Sequence, residues 1–436
     1  MPSFFKLAFV TFITCSIGAS TITNASQDSK FSEYSKKQKS KYKEFKTDYL
    51  ERYEKYREKI KEKWGVAELS SKTEYVHYNE ENKTKVLTDF ENDTIEISIL
   101  EADNLSDNDV DKIIREAIVD SLGKQPEVIA ISRAEFDTAE KKKIYSSMSP
   151  VVSAPTVLNH LGISSIEKLS SLLENFVIVP EKQQEQIIIK RTQNRLEKQI
   201  SSLENFTSHN EAAPEQVKAS KALIVSMIKE KKAVIHDVHE LTTKNIKTYK
   251  VNLKRDRYKK AEQYLKIVEQ NASKWQLSDH FILAIMETES HFNPMAKSYV
   301  PAYGLMQIVP STAGADVNTK ILGKKHKPSP ELLFNGKDNI EYGSAYIYIL
   351  MTRYLKEIDN PTSRLYCAIA SYNTGIGNVA RAFNKGKKGR LKAMKVINTL
   401  SPDEVYDIIK KRTHTETQRY LDKVLESKQY FTQQKG

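Results

Sequence analysis

Apolar residues fall along this chain in three successive rhythms, and each predicts a different kind of structure. Tyr42, Phe45, Tyr49, Tyr53, Tyr56, Ile60 and Trp64 recur at steps of three and four, the period that lines one face of a helix. From Lys72 the period shortens to two. Tyr75, Val76 and Tyr78 open an extended run, and Val86 to Phe90 forms a second. Asn92-Asp93 supplies a turn, and Thr94 to Ile99 alternates as a half-buried strand. Asp107 to Leu122 reads as a helix capped by Ser106 or Asp107 and ended by Gly123. Polar helical stretches rich in Lys, Glu and Gln follow, broken by Pro155, Pro180 and Pro214, before alternation returns at Tyr249, Val251 and Leu253. The simplest account is a small α+β domain whose last strand returns after a long helical insertion. From about Arg255 the pattern is helical to the end, with glycines in short loops. The predicted fold class is mainly α: an all-α domain over 255–436, preceded by the α+β domain over 65–254.

Composition narrows what such a chain can meet. Its 436 residues exceed one compact core and suggest two or three units. A formal charge of +12 calls for an acidic partner: nucleic acid, an anionic membrane surface or a carboxylate-bearing wall polymer. Residues 30–64 hold thirteen Lys and Arg against seven acids, which is half of that surplus. With its aromatic stripe, the stretch 26–64 is predicted to be a basic amphipathic helix. It suits either packing on its own protein or a coiled-coil partner, or adhesion to an anionic envelope or membrane surface. At the start of the chain, Lys6 precedes an apolar stretch from Leu7 to Ile13, and small polar residues run on to Ala25. That is the layout of a secretory signal over 1–25, too short for a stable membrane span. Export removes nucleic acid as a partner. Cys15 is either the acceptor of a lipid anchor or a residue discarded with the signal. Cys367 then has no partner for an intrachain disulfide, and its apolar helical setting predicts an inert buried thiol.

The chemistry gathers in the helical half. Ser278 and Asp279 begin a helix with apolar positions at Ile282, Ile285 and Met286. Glu289 lies four residues after Ile285 and three after Met286, so it continues the same buried face. Burial disfavours a charged carboxylate, and a general acid must carry a proton near neutral pH. Glu287 points to nearly the opposite side. Ser290 and Asn293-Pro294 stop the helix, and Gly304-Leu305-Met306-Gln307 follows at a predicted loop-to-helix junction. Gly304 permits close backbone approach, Met306 offers an adaptable apolar wall, and Gln307 offers donors and acceptors. Ser371-Tyr372-Asn373-Thr374-Gly375 adds an aromatic and an amide at a turn, the combination a sugar needs.

Glu289-Ser290, Gly304-Leu305-Met306-Gln307, Ser371-Tyr372-Asn373-Thr374-Gly375 and Glu416-Thr417-Gln418-Arg419-Tyr420, in that order, resemble the motifs of soluble-type lytic transglycosylases. The stretches Asp359 to Arg364 and Val396 to Pro402, and the strands between Lys72 and Ile99, resemble the subfamily called membrane-bound lytic murein transglycosylase C. The resemblance implies a goose-type-lysozyme-like catalytic domain and peptidoglycan glycan strands as substrate. It implies Glu289 as the single acid and base, cleaving between N-acetylmuramic acid and N-acetylglucosamine and leaving 1,6-anhydro ends. It carries Ser290, Met306, Gln307, Tyr372, Asn373 and Tyr420 onto sugar-binding positions, with no metal or cofactor. It also implies a periplasmic protein, lipid-anchored to the outer membrane if Cys15 is the acceptor. Pro301 stands where the wider family often has Gly, and Tyr303 precedes Gly304; both bear on the cleft wall.

Two rival readings stay open. A lysozyme-like hydrolase would use a second carboxylate, for which Asp316 is the nearest nominee. A scaffold that binds glycan without chemistry would suit the basic helix and the long insertion. Gly375-Ile376-Gly377-Asn378-Val379-Ala380 mimics a dinucleotide fingerprint, but the run before it is helical where a strand is required. His280 and His291 lack the spacing of metal ligands.

Overall fold

The computed structural model describes residues 55–126, 155–207, 214–239, 245–298, 302–387 and 389–434. The chain divides into two compact units, Met1–Glu58 and Lys59–Gly436. Of the first only residues 55–58 are described, so the secretory stretch, Cys15 and the aromatic positions Tyr42 to Tyr53 lie outside the described residues, as does Pro301. In the second unit residues 59–64 are helical, and Ile60 and Trp64 are buried. Trp64 packs edge-on against Tyr78 with ring centroids 5.4 Å apart, and its Nε1–H donates to the Asn82 carbonyl at 3.0 Å. This end of the stripe therefore packs on its own protein.

Five strands form one antiparallel sheet: β1 (Glu74–Tyr78), β2 (Thr84–Asp89), β3 (Thr94–Ile99), β4 (Val177–Ile178) and β5 (Lys247–Asn252), in the order β1-β2-β3-β5-β4. Short polar side chains make the turns. Asn79 Oδ1 accepts from the amides of Lys83 and Thr84, and Asn82 adopts a left-handed φ of 52°. Asp89 Oδ1 accepts from the Asn92 amide, and Asp93 takes φ 58°. The predicted return of a strand near Tyr249 is observed: β5 pairs with β3, with Tyr249 opposite Ile97 and Val251 opposite Ile95. The two-residue β4 was not legible, since its exposed Val177 and Ile178 offer no period to read.

Register puts Val86, Ile95, Ile97, Ile99 and Val251 on one face, against helix α1 (Asp107–Leu122). Val110, Ile114, Ile118 and Leu122 meet that face at steps of four. Ser106 caps α1 through a reciprocal pair with Asp109, as its position predicted.

The other sheet face corrects the half-buried expectation: every residue of β3 is buried. The long insertion forms α2 (Glu181–Thr207) and α3 (Pro214–His239), which pack together, and Arg191 of α2 reaches onto this polar face. It pairs with Glu68 at 2.9 Å and Glu96 at 2.7 Å, while Lys250 meets Glu96 at 2.8 Å and Lys85 meets Glu68. Alternation reports one apolar face correctly; it cannot say that ion pairs will cover the other.

The C-terminal half is helical, as predicted. Its principal helices are α4 (Leu265–Trp275), α5 (Asp279–Ser290), α6 (Gly336–Ile349), α7 (Pro361–Thr374), α8 (Pro402–Arg412) and α9 (Thr415–Gln434). Proline at the first helical position and a capping side chain start two of them: Asn360 for α7 and Ser401 for α8. In α5 every residue from Phe281 to Glu287 is buried, which makes it the central helix, with α9 packed along it. One apolar core runs from Tyr75 and Ile97 of the sheet to Leu421 and Phe431 of α9. Polar ties reinforce it. Arg255 holds Asp93 through Nε at 2.9 Å and Nη2 at 2.5 Å, and Lys260 Nζ donates to the carbonyls of Phe90 and Glu91. The mainly α architecture with a small sheet is thus observed.

Candidate active site

Glu289 sits one residue before the C-terminus of α5 and is 4 % exposed. The backbone beyond it turns sharply, with left-handed φ at His291 (50°) and Phe292 (63°), conformations that non-glycine residues hold only when packing enforces them. Both carboxylate oxygens are engaged. The Tyr420 hydroxyl of α9 donates to Oε1 at 2.8 Å, and the Lys72 ammonium donates to Oε2 at 3.1 Å. Burial, reinforced by the Glu289 charge, lifts the Tyr420 phenol well above its ordinary value, so it stays a neutral donor. Burial acts on Lys72 in the opposite sense, yet the Glu289 and Glu416 carboxylates outweigh it and keep that ammonium charged.

Glu287 lies apart from this group, as its helical position predicted, but it is buried and paired. Arg257 holds it at both oxygens, at 2.7 and 2.6 Å, and Ser427 Oγ donates at 2.5 Å.

The loop that faces α5 is tighter than the predicted loop-to-helix junction. Tyr303 and Ile308 close it with two backbone hydrogen bonds of 3.1 and 3.0 Å, and helical structure resumes only at Pro310. Gly304 has φ 72°, and a Cβ there would fall 2.3 Å from the Leu333 carbonyl oxygen and 2.4 Å from Asn339 Nδ2. That crowding fits only glycine. Asn339 of α6 organises the turn: its Nδ2 donates to the Tyr303 and Leu333 carbonyls, and its Oδ1 accepts from the Met306 amide at 2.7 Å. Met306 is fully buried, with its sulfur against Gly343. Gln307 holds φ 49° while its Nε2 donates to the Ala296 and Gly304 carbonyls, leaving its buried Oε1 unpaired. Tyr303 is buried edge-on against Phe334 at 5.3 Å.

The remaining sequence-selected residues tie these pieces together. Ser290 is fully buried, and its hydroxyl donates to the Leu305 carbonyl at 2.7 Å, joining α5 to the loop. The Tyr372 hydroxyl donates to the Met306 carbonyl at 2.8 Å, and its ring tilts against Tyr346 at 5.6 Å. Asn373 Oδ1 accepts from Thr417 at 2.8 Å, which links the end of α7 to α9. Named hydrogen bonds thus join the four motifs to one another, and Tyr420 of the last reaches Glu289 itself. Lys72 and Asn339 were not found from sequence. Lys72 stands 217 positions from Glu289, and no periodicity connects them.

Asp316 accepts from the Tyr354 hydroxyl at 2.7 Å and pairs with Lys320. Cys367 is fully buried, and burial pushes its thiol up. The run before Gly375 is helical, as expected. Among the described residues, no group of three or more His, Cys, Asp and Glu could hold a metal ion, and no helix is long and apolar enough to cross a membrane.

Parts of the chain are similar to known proteins. Residues 266–395 match the Transglycosylase SLT domain, and residues 29–153 match the membrane-bound lytic murein transglycosylase C N-terminal domain. Proteins named membrane-bound lytic murein transglycosylase C from Yersinia pestis and Yersinia pseudotuberculosis are 46% identical over 167 residues. That match covers 38% of this chain and 46% of each relative, so the chain spans about half the length of the curated relatives it matches. A solved structure of an inactive mutant of the lytic transglycosylase Slt from Pseudomonas aeruginosa is 21% identical, with a TM-score of 0.30, and covers 50% of this chain and 30% of that one. The two domain matches follow one another along a single chain, the membrane-bound lytic murein transglycosylase C N-terminal domain first and the SLT domain after it.

Proposed function

We propose that this protein is a lytic transglycosylase of peptidoglycan, with Glu289 as its acid and base. The observation that carries the reading is the buried Glu289 carboxylate, held by Tyr420 where the four motifs meet. In the acid step Glu289 protonates the oxygen between N-acetylmuramic acid and N-acetylglucosamine, and that C–O bond breaks. The acetamido oxygen of the muramoyl residue shields C1 from its own side. Glu289, now a carboxylate, takes the proton from the C6 hydroxyl, whose oxygen closes on C1 as a 1,6-anhydro ring. One carboxylate serves both transfers.

In this reading residues 255–436 are the catalytic domain and 65–254 the N-terminal domain with its helical insertion. Residues 1–25 direct export, and the basic stretch that precedes the buried Ile60 and Trp64 lies toward an envelope surface. Met306, Gln307, Tyr372 and Asn373 shape the sugar subsites, while Ser290 sets the loop that carries two of them. The names of the relatives and the basic stretch over 30–64 support placement at a membrane, with peptidoglycan as the partner.

The test is digestion of purified peptidoglycan by the wild type and by Glu289→Gln, with products identified by mass spectrometry. Anhydro-muramoyl ends from the wild type, and none from the variant, support the reading. Reducing ends would mean hydrolysis, and full activity in the variant would reject Glu289.

A further inference from the structure

We propose that Lys72, in the segment leading into β1, is a positioning residue for Glu289, so that the N-terminal region completes the active site. The inference rests on the function proposed above. Lys72 Nζ lies 3.1 Å from Glu289 Oε2, while Tyr420 serves Oε1, so each oxygen accepts from a different element. This is the coordination of a carboxylate, which only accepts. The charged and titratable groups around it are Lys72 before β1, Glu416 and Tyr420 on α9, and Tyr372 on α7. Among these, Lys72 is the cation.

Its placement is fixed by the backbone. Asn293 Nδ2 donates to the Lys72 carbonyl at 3.1 Å, and the Lys297 amide donates to the Ser71 carbonyl at 3.4 Å. Asn293 is fully buried three residues beyond Ser290, with its own Oδ1 taken by the Met295 amide. Ser71 Oγ accepts from the Glu74 amide at 3.1 Å, which locks the approach to β1. The side chain itself is 38% exposed, while the carboxylate it meets is 5% exposed.

That arrangement bears on the proton transfers. Glu289 gives up its proton to the leaving oxygen and is left as a carboxylate beside Lys72. A cation at this distance offsets the charge that forms on the buried Glu289 carboxylate in that step and holds Oε2 in place. Without it that charge forms with Tyr420 as the remaining donor, and the step slows.

The experiment is the pH profile of kcat/KM on purified peptidoglycan for wild type, Lys72→Met and Lys72→Arg, with a thermal melt of each. Lys72→Met should lower the kcat/KM plateau by about tenfold or more with its melting temperature kept. Lys72→Arg, which keeps the charge, should retain most of the wild-type plateau. Lys72→Gln replaces the Met variant if the latter does not fold. An active wild type whose profile superimposes on that of the uncharged variant overturns the role of Lys72 alone. A wild type that yields no anhydro ends overturns the functional reading and this inference together.

Discussion

In the proposed reaction the Glu289 carboxylate acts twice, and its two oxygens are treated differently by their surroundings. Tyr420 gives Oε1 a neutral donor that burial keeps from ionising, and this fixes the side chain whichever protonation state it is in. Tyr420→Phe removes that donor without changing the ring. Hydrogen bonds to charged groups are worth roughly 1.5–3 kcal/mol, so kcat should fall on the order of 10–100-fold while KM changes little. Initial rates on purified glycan strands would check this, and an unchanged kcat would make Tyr420 a packing residue. The burial of Glu289 was legible because Ile285 and Met286 mark the buried face of α5 one turn earlier. The partner Lys72 was not, because pairing across 217 residues leaves no trace in local spacing. Ser290 falls, by the resemblance, on a position that holds or orients sugars; its hydroxyl meets the carbonyls of Met286 and Leu305, so the orienting half of that role is the one its contacts favour.

Helices were the easiest elements to read, and the turn between them the hardest. Capping residues and proline set the starts of α1, α7 and α8 at the positions the sequence marks. The loop carrying Met306 and Gln307 was placed correctly but misjudged in shape, because its geometry depends on Asn339 from α6 and on the Tyr303–Ile308 closure. Glycine marks where that loop presses on α6. A Cβ at Gly343 would fall 2.2 Å from Met306 Sδ and 2.9 Å from Met306 Cβ. Gly343→Ala therefore must push the loop outward, and overpacking of this kind costs about 1–3 kcal/mol. A lower melting temperature together with reduced activity is expected, measured by thermal unfolding and by digestion rate. A variant with wild-type stability would show that the loop yields without strain. The strands illustrate a different limit. Their apolar face was read correctly from alternation, whereas the ion pairs beneath α2 required knowing what the insertion covers.

Across the whole unit, the sheet region and the helical half share one core, and their junction carries titratable groups. His160 is buried there, stacked on Tyr264 at 5.6 Å, with Nδ1 2.7 Å from Gln263 Oε1. Burial, with the Arg255 charge adding to it and the Gln263 contact opposing, pushes His160 down to about 4. Between an unfolded value near 6.5 and that folded value, the unfolded chain binds the extra proton. The stability this residue contributes is therefore complete above about pH 6.5 and is lost as pH falls toward 4. Glu68, lowered to about 2 against its burial by Lys85 and Arg191, adds a loss of the same sign below its ordinary value of 4.5. Glu74 opposes them over part of this range, since burial pushes its carboxyl up to about 7, so the direct check is the variant: His160→Asn should make the melting temperature less sensitive to acidification between pH 6.5 and 4.5 than in the wild type. An identical slope in the variant would place the sensitivity elsewhere. The junction brings Lys72 to Glu289, so the integrity of the unit and the geometry of the carboxylate are linked. In the proposed reaction Glu289 is the one carboxylate at work and closes a ring, without adding water. Mass spectrometry of peptidoglycan digested to completion tests it most directly. Muramoyl ends lighter by one water than the hydrolytic product are expected from the wild type and not from Glu289→Gln; reducing ends from the wild type would rule ring closure out.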